Sequence, residues 1–125
     1  MIFSPIKIGS LEVINRIVVA PMCQYSAING VMTDWHTQHL MQLGYSAAGL
    51  IMVEATAVEK IGRITHNCVG IYNDKCMLSL KKNLQVAKSV APDKTRFGIQ
   101  LAHAGRKAST HVSYTHLRAH ETLRY

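Results

Sequence analysis

The sequence predicts an α/β fold, a hairpin followed by about three βα units of a parallel sheet. Three observations carry this expectation. Short apolar runs recur at residues 17–20, 50–53 and 97–101, each bounded by polar or turn-forming residues, as strands buried in a parallel sheet are. Between them lie two longer segments whose apolar residues recur at helical spacing. Strand and helix therefore alternate, and such alternation packs as right-handed βαβ units.

Each element has its own justification. IKIGSLEVINR holds two short β-prone stretches around Gly9-Ser10, which suits a small hairpin capping one end of the fold. In RIVVAPMCQYS the apolar run stops at Pro21, which has no N–H to give to a ladder. DWHTQHLMQLGYSAAG reads as a helix, with Thr33 or Asp34 as N-cap, Leu40, Leu43 and Ala47 as the apolar stripe, and Gly49 as the C′ residue. Gly44 inside it costs about 1 kcal/mol relative to alanine, so a packing reason is expected there. LIMVEATAV supplies the second buried strand, followed at once by Glu54 and a polar loop, EKIGRITHN. From about Asp74 a second helix places Met77, Leu80, Leu84 and Ala91 on one face and closes at Ala91-Pro92. RFGIQLAHAGRK gives the third strand and runs into His103-Ala-Gly-Arg106.

The 125 residues suffice for one small domain, and 48% apolar content argues against disorder. No stretch reaches the ~18–20 uninterrupted apolar residues of a membrane span. The opening MIFSPIKIGSLEV does not read as a secretory signal, so a cytoplasmic protein with no membrane partner is expected. Cys23, Cys68 and Cys76 are odd in number and lack C-x-x-C spacing, against a disulfide framework or a zinc ribbon. The net charge of +7 is scattered along the chain. A solvated basic surface is the plainer reading of it; nucleic-acid binding is the sharper one and lacks a supporting motif.

In parallel α/β folds, ligands gather at the carboxyl ends of the strands. Here those ends carry Pro21-Met22-Cys23-Gln24-Tyr25, Glu54-Ala55-Thr56 and Gln100 to Arg106, all converging on one mouth. Each side chain has two readings. Cys23 is either a small buried hydrophobe or a reactive thiol. Tyr25 packs or meets substrate, and Glu54 either pairs with a buried arginine or acts in catalysis. Gln100, an amide in an apolar strand, must find hydrogen-bonding partners, which a heteroaromatic ring or a neighbouring backbone could supply. His36 and His39 suit surface or capping roles better than metal binding. No metal site is expected, and no G-x-G-x-x-G or Walker motif is present.

Taken together, NRIVVAPMCQYS, TDWH, GLIMVEATAV, GRIT and GIQLAHAGRKAS resemble the Old Yellow Enzyme family of flavin-dependent oxidoreductases, in order and spacing, across roughly residues 3–110. Cys23 in the P-M-C stretch is similar to the thermophilic-like bacterial subclass. The resemblance implies the N-terminal part of a TIM (β/α)8 barrel holding noncovalent FMN at its carboxyl-terminal mouth. It implies that Ala20, Pro21, Met22 and Cys23 run along the flavin, with the Cys23 sulfur tuning its potential. Ala55 would approach the ring through its backbone, Gln100 would hydrogen-bond the pyrimidine edge, and Tyr25 would face substrate. His103 and Arg106 would support these groups from behind. The implied reaction takes hydride from NADPH or NADH and delivers it to the β-carbon of an α,β-unsaturated carbonyl. A full-length member is expected to be homo-oligomeric.

The chain departs from that pattern in two ways. A full barrel needs about 250 residues and eight strands, whereas three strands are expected here, so the isolated chain is expected to be inactive. The run VSYTHLRAHET from Val112 to Thr122 resembles a translated frame of a sequencing-library adapter. Residues 1–110 are therefore expected to be barrel and residues 111–125 a non-native tail. The alternative is a small basic module binding nucleic acid, or metal through the His-rich tail, where His116 and His120 lie one helical turn apart.

Overall fold

A computed structural model of the chain describes residues 1–108. The elements follow in the order β1 (Ile6–Ile8), β2 (Leu11–Val13), β3 (Val18–Val19), α1 (Asp34–Tyr45), β4 (Leu50–Ala57), α2 (Asp74–Val90) and β5 (Arg96–Ala102). Short 3-10 turns at Lys60–Gly62 and Gly105–Lys107 follow β4 and β5. The expected hairpin is present, with β1 and β2 antiparallel and Ile8 paired with Leu11 across Gly9-Ser10. Gly9 takes φ +60°, a left-handed conformation that its missing Cβ permits. The remaining strands form one parallel sheet in the order β3-β4-β5. The predicted α/β class and its three parallel strands are there.

The hairpin closes the amino-terminal end of the sheet, opposite the mouth. Val13 is buried against Gly49, where a Cβ would stand 2.6 Å from both Val13 Cγ1 and the Asn15 carbonyl oxygen. The Asn15 side chain bridges the segments, its Nδ2 donating to the Ala47 carbonyl and its Oδ1 accepting from Gly49 N and Ile17 N. Gly49 thus serves close packing and not the helix end. Helix α1 finishes earlier, at Tyr45, with Ala47 taking the left-handed conformation (φ +59°) and donating its N–H to the Gly44 carbonyl.

Both helices cover one face of the sheet. Leu40 of α1, Leu80 and Ala87 of α2, and Val53 of β4 form the core with Ala27, Met32 and Val69, and Leu84, Phe97 and Ile99 pack against it. The buried stripe of α1 is His36, Leu40 and Gly44, shifted from the expected Leu40, Leu43 and Ala47; Ala47 lies beyond the helix and is exposed. Gly44 has its packing reason, because a Cβ there would meet the Ala87 carbonyl oxygen at 2.7 Å where the two helices cross. On α2 the buried residues are Cys76, Leu80, Asn83 and Ala87. Met77 is 42% exposed, so the stripe lies one residue away from the expected position. Buried Asn83 is satisfied by accepting from Thr37 Oγ1 and donating to the Ser79 carbonyl, which ties the two helices together. Asn73 caps α2 by accepting from Cys76 N.

The opposite face of the sheet is open among the described residues. Val18 is 50% exposed, Ala20 and Gln100 are exposed, and Met52 is half-buried against Gly98. The expectation that the first strand is buried on both faces does not hold here, because only one face carries helices. The residues read as a non-native tail, with His116 and His120, lie outside the described residues.

Candidate active site at the strand ends

Strand β4 does not stop at Val53 but continues to Ala57 through an irregularity. The register pairs Val53 with Ile99 and Thr56 with Leu101, so Glu54 and Ala55 together oppose the single Gln100. Such a bulge bends a strand and re-aims its side chains. Here Glu54 is 5% exposed and turns beneath α1, while Ala55 stays half-buried beside Gln100.

The partner of Glu54 is His36, not the arginine considered from sequence. His36 Nε2 stands 3.3 Å from Glu54 Oε1, with both side chains buried, although the angle falls short of a good hydrogen bond. His36 Nδ1 accepts the Thr33 backbone N–H at 3.0 Å, which leaves the ring proton on Nε2, facing the carboxyl group. His36 therefore occupies the N3 position of a capping box and helps start α1. The other carboxyl oxygen, Oε2, accepts the Gln24 backbone N–H at 3.2 Å. Gln24 in turn donates from Nε2 to the Met22 carbonyl and accepts from Trp35 Nε1. One buried carboxyl group thus fixes the segment that follows β3 to both β4 and α1.

That segment presents Ala20 exposed, Pro21 half-buried, Met22 54% exposed and Cys23 half-buried. Tyr25 is 52% exposed and takes φ +51°, a left-handed conformation unusual for an aromatic residue, which turns the chain at the mouth. Burial pushes the Cys23 thiol above its ordinary value, helped by the neighbouring Cys68 and Glu54, and the Ala55 backbone N–H opposes the rise. Among the described residues, the Gln100 amide makes no hydrogen bond and reaches the open face. The partners expected for it from sequence are not in this sheet.

His103 and Arg106 sit at the outer side of the mouth, both exposed. The His103 ring lies over Gly62, where a Cβ would come within 2.5 Å of Cδ2, and its Nε2 is 3.4 Å from Glu59 Oε2. Its Nδ1 accepts the Gly105 N–H, and Ala104 N donates to the Gly62 carbonyl. The H-A-G-R stretch is therefore docked onto the turn after β4. Sequence reasoning missed the His36–Glu54 contact, although the T-x-x-H spacing at a helix start was a signal for the place of His36.

Ala20 to Cys23, Ala55 and Gln100 thus share one mouth, with Tyr25 at its rim. The arrangement suits a flat polar ring: backbone along one edge, an unpaired amide at another, and a small residue at the bulge. No group of three or more metal-ligating side chains is positioned to hold a metal among the described residues. None of the described helices is long and apolar enough to cross a membrane.

Residues 1–120 match the model of the NADH:flavin oxidoreductase / NADH oxidase family. An NADH:flavin oxidoreductase of Gibberella zeae is 47% identical over 108 residues, covering 86% of this chain and 25% of its own length. An NADPH dehydrogenase of Listeria monocytogenes is 41% identical over 109 residues, covering 86% of this chain and 31% of its own. Among solved structures, morphinone reductase in complex with tetrahydroNAD superposes with a TM-score of 0.76 at 27% identity, over 86% of this chain and 28% of that one. The Old Yellow Enzyme from Pichia sp. AKU4542 gives 0.76 at 28% identity, over 86% and 27%. The chain thus spans between a quarter and a third of these relatives, and its hairpin and βα units are the amino-terminal part of their TIM barrel. It belongs to the NADH:flavin oxidoreductase / NADH oxidase family, flavoproteins of the Old Yellow Enzyme type that use FMN with NADH or NADPH as hydride donor.

Proposed function

We propose that this segment supplies the flavin-facing wall of an FMN-dependent NAD(P)H oxidoreductase that reduces the activated C=C bond of α,β-unsaturated carbonyl compounds. The observation that carries the reading is the unpaired Gln100 amide, beside the β4 bulge and opposite the Ala20–Cys23 edge. When bound, FMN would supply the redox chemistry, accepting hydride from a reduced nicotinamide and passing it to the alkene.

The residues of the chain bind and orient. Ala20 to Cys23 offer a backbone edge held in place by the Glu54–Gln24 hydrogen bond. Gln100 offers one donor and one acceptor to a pyrimidine edge, and Ala55 permits close approach by its small size. Tyr25 places a phenol at the substrate side. Cys23 keeps its proton at neutral pH, because burial disfavours the thiolate, so it presents a neutral S–H to the ring. The chain by itself is expected neither to retain FMN nor to turn over. Its apolar inner face and the outer edges of β3 and β5 have no partner among the described residues, a condition that favours aggregation.

The test is a complete barrel, with residues 1–108 joined to the rest of the Listeria NADPH dehydrogenase. It should purify yellow and oxidise NADPH on addition of 2-cyclohexenone, and Gln100→Ala should weaken FMN retention about tenfold, the worth of one to two hydrogen bonds. A folded barrel that stays colourless, or whose FMN affinity is indifferent to Gln100→Ala, would overturn the reading.

A further inference from the structure

Between α1 and β4, against Ala20 and Met22 of the segment that follows β3, lies a cavity of about 10 Å³. Three polar side chains line it, His36, His39 and Glu54, and the rest of its wall is apolar, with Leu40, Leu43 and Met52 prominent. His36 is 1% exposed and Glu54 5%. Among the described residues, His36 Nε2 has no hydrogen-bond partner, although Glu54 Oε1 stands 3.3 Å away. Because Nδ1 accepts the Thr33 N–H, Nε2 carries the ring proton, and the unpartnered atom is a donor. Burial lowers His39 below its ordinary value, against the pull of Glu54 and with help from His36. At neutral pH its imidazole is therefore uncharged and keeps one nitrogen as an acceptor.

We propose that this cavity binds one water molecule, which accepts the Nε2 proton of His36 and donates to Glu54 Oε1. The volume is that of a single water site, for which about 10–15 Å³ is needed. The chemistry matches as well. One ring donor, one carboxyl acceptor and the acceptor nitrogen of His39 give the three partners that a buried water ordinarily has. Other small occupants do not suit these groups. A cation would meet the Nε2 proton, and the three side chains are not positioned as a metal-ligating group. An apolar occupant would leave that proton unpaired, at the full cost of a buried donor without a partner. The water also extends a connection. Glu54 Oε2 accepts the Gln24 N–H, so His36, the water and Glu54 form one chain that ends on the backbone next to Cys23. His36 is thus a positioning residue for that segment, acting through the water and Glu54. The inference stands on the cavity and the unpartnered ring nitrogen and does not require the flavin reading.

The test uses the complete barrel and two variants. A high-resolution crystal structure should show one ordered water within hydrogen-bonding distance of both His36 Nε2 and Glu54 Oε1. In solution, the His36 ring N–H should give an NMR signal sheltered from solvent exchange. His36→Asn keeps an acceptor near the place of Nδ1, for the Thr33 N–H, but has no atom at the place of Nε2; it should lose the water. His36→Gln can return an amide N–H to that place and should regain it. Alkylation of Cys23 by iodoacetamide, followed by mass spectrometry, reads the segment beside Gln24. It should be about tenfold faster in His36→Asn, the worth of one hydrogen bond, and return to the parent rate in His36→Gln. Buried Cys76 should react equally in all three, which separates a local loosening from general unfolding. A parent barrel whose His36 Nε2 donates straight to Glu54 with no water between them would overturn the proposal. So would a water retained in His36→Asn, or a Cys23 rate indifferent to both substitutions. The water and the ring N–H signal in the parent decide the matter if His36→Asn fails to fold, and a colourless barrel leaves every readout intact.

Discussion

The two faces of the β3-β4-β5 sheet differ in what completes them. The helix-covered face is self-sufficient: Leu40, Leu80 and Ala87 close over Val53, with Phe97 and Ile99 packed alongside, and the crossing is tightened by Gly44. The other face presents Val18, Met52 and Gln100 with no layer over them among the described residues. Its chemistry gathers where the strands end. The packed core of this segment therefore lies on one side of the sheet and its proposed site on the other, where further strands of a complete barrel would enclose it.

Substitutions on the two faces should break or sharpen that contrast. The largest effect is expected from Leu40→Ala, which opens a cavity in the closed core and should cost about 2–5 kcal/mol of stability in the complete barrel, measured by denaturant unfolding. Met52→Ala in the same barrel should approach that loss only if further strands cover it; a cost well below ~1 kcal/mol would mean the inner face stays open. Gly44→Ala comes next. The added methyl meets a backbone carbonyl oxygen at 2.7 Å that cannot swing aside, so about 1–3 kcal/mol should be lost despite the better helix propensity of alanine. A stabilised variant would contradict the close crossing of α1 and α2.

The smallest effect concerns the mouth and leaves stability alone. Cys23 has its thiol raised above the ordinary 9.0, chiefly by burial and then by Cys68 and Glu54. Its thiolate is therefore scarce at neutral pH, and alkylation by iodoacetamide should still be climbing as pH passes 9.0. A rate that levels off below that pH would mean the thiol is neither buried nor crowded as described.

Much of this was legible in the sequence, for physical reasons that vary by element. The hairpin, three strands and two helices are each marked by local chemistry: Gly9 at a left-handed turn, Pro21 at a strand end, Pro92 after a helix. The helix stripes were read one residue off, because His36 and Asn83 are buried polar residues satisfied by tertiary partners and no apolar periodicity reveals them. The run at residues 17–20 was read as buried on both faces because apolarity reports the surroundings of a complete fold, and here one face has no cover among the described residues. At the mouth, the strand-end positions of Pro21 to Tyr25, Ala55 and Gln100 were legible from the alternation of strands and helices. The contacts that arrange them were not. The bulge opposite Gln100 depends on register between β4 and β5, and the pairing of Glu54 with His36 depends on how α1 lies over β4. Neither is local in the chain.

The measurement that tests the central claim most directly is a crystal structure of the complete barrel with FMN. The account predicts the flavin ring along Ala20 to Cys23, the Gln100 amide within hydrogen-bonding distance of its pyrimidine edge, and Met52 enclosed by strands from the remainder of the chain. A flavin bound elsewhere, with Gln100 still unpaired, would contradict it.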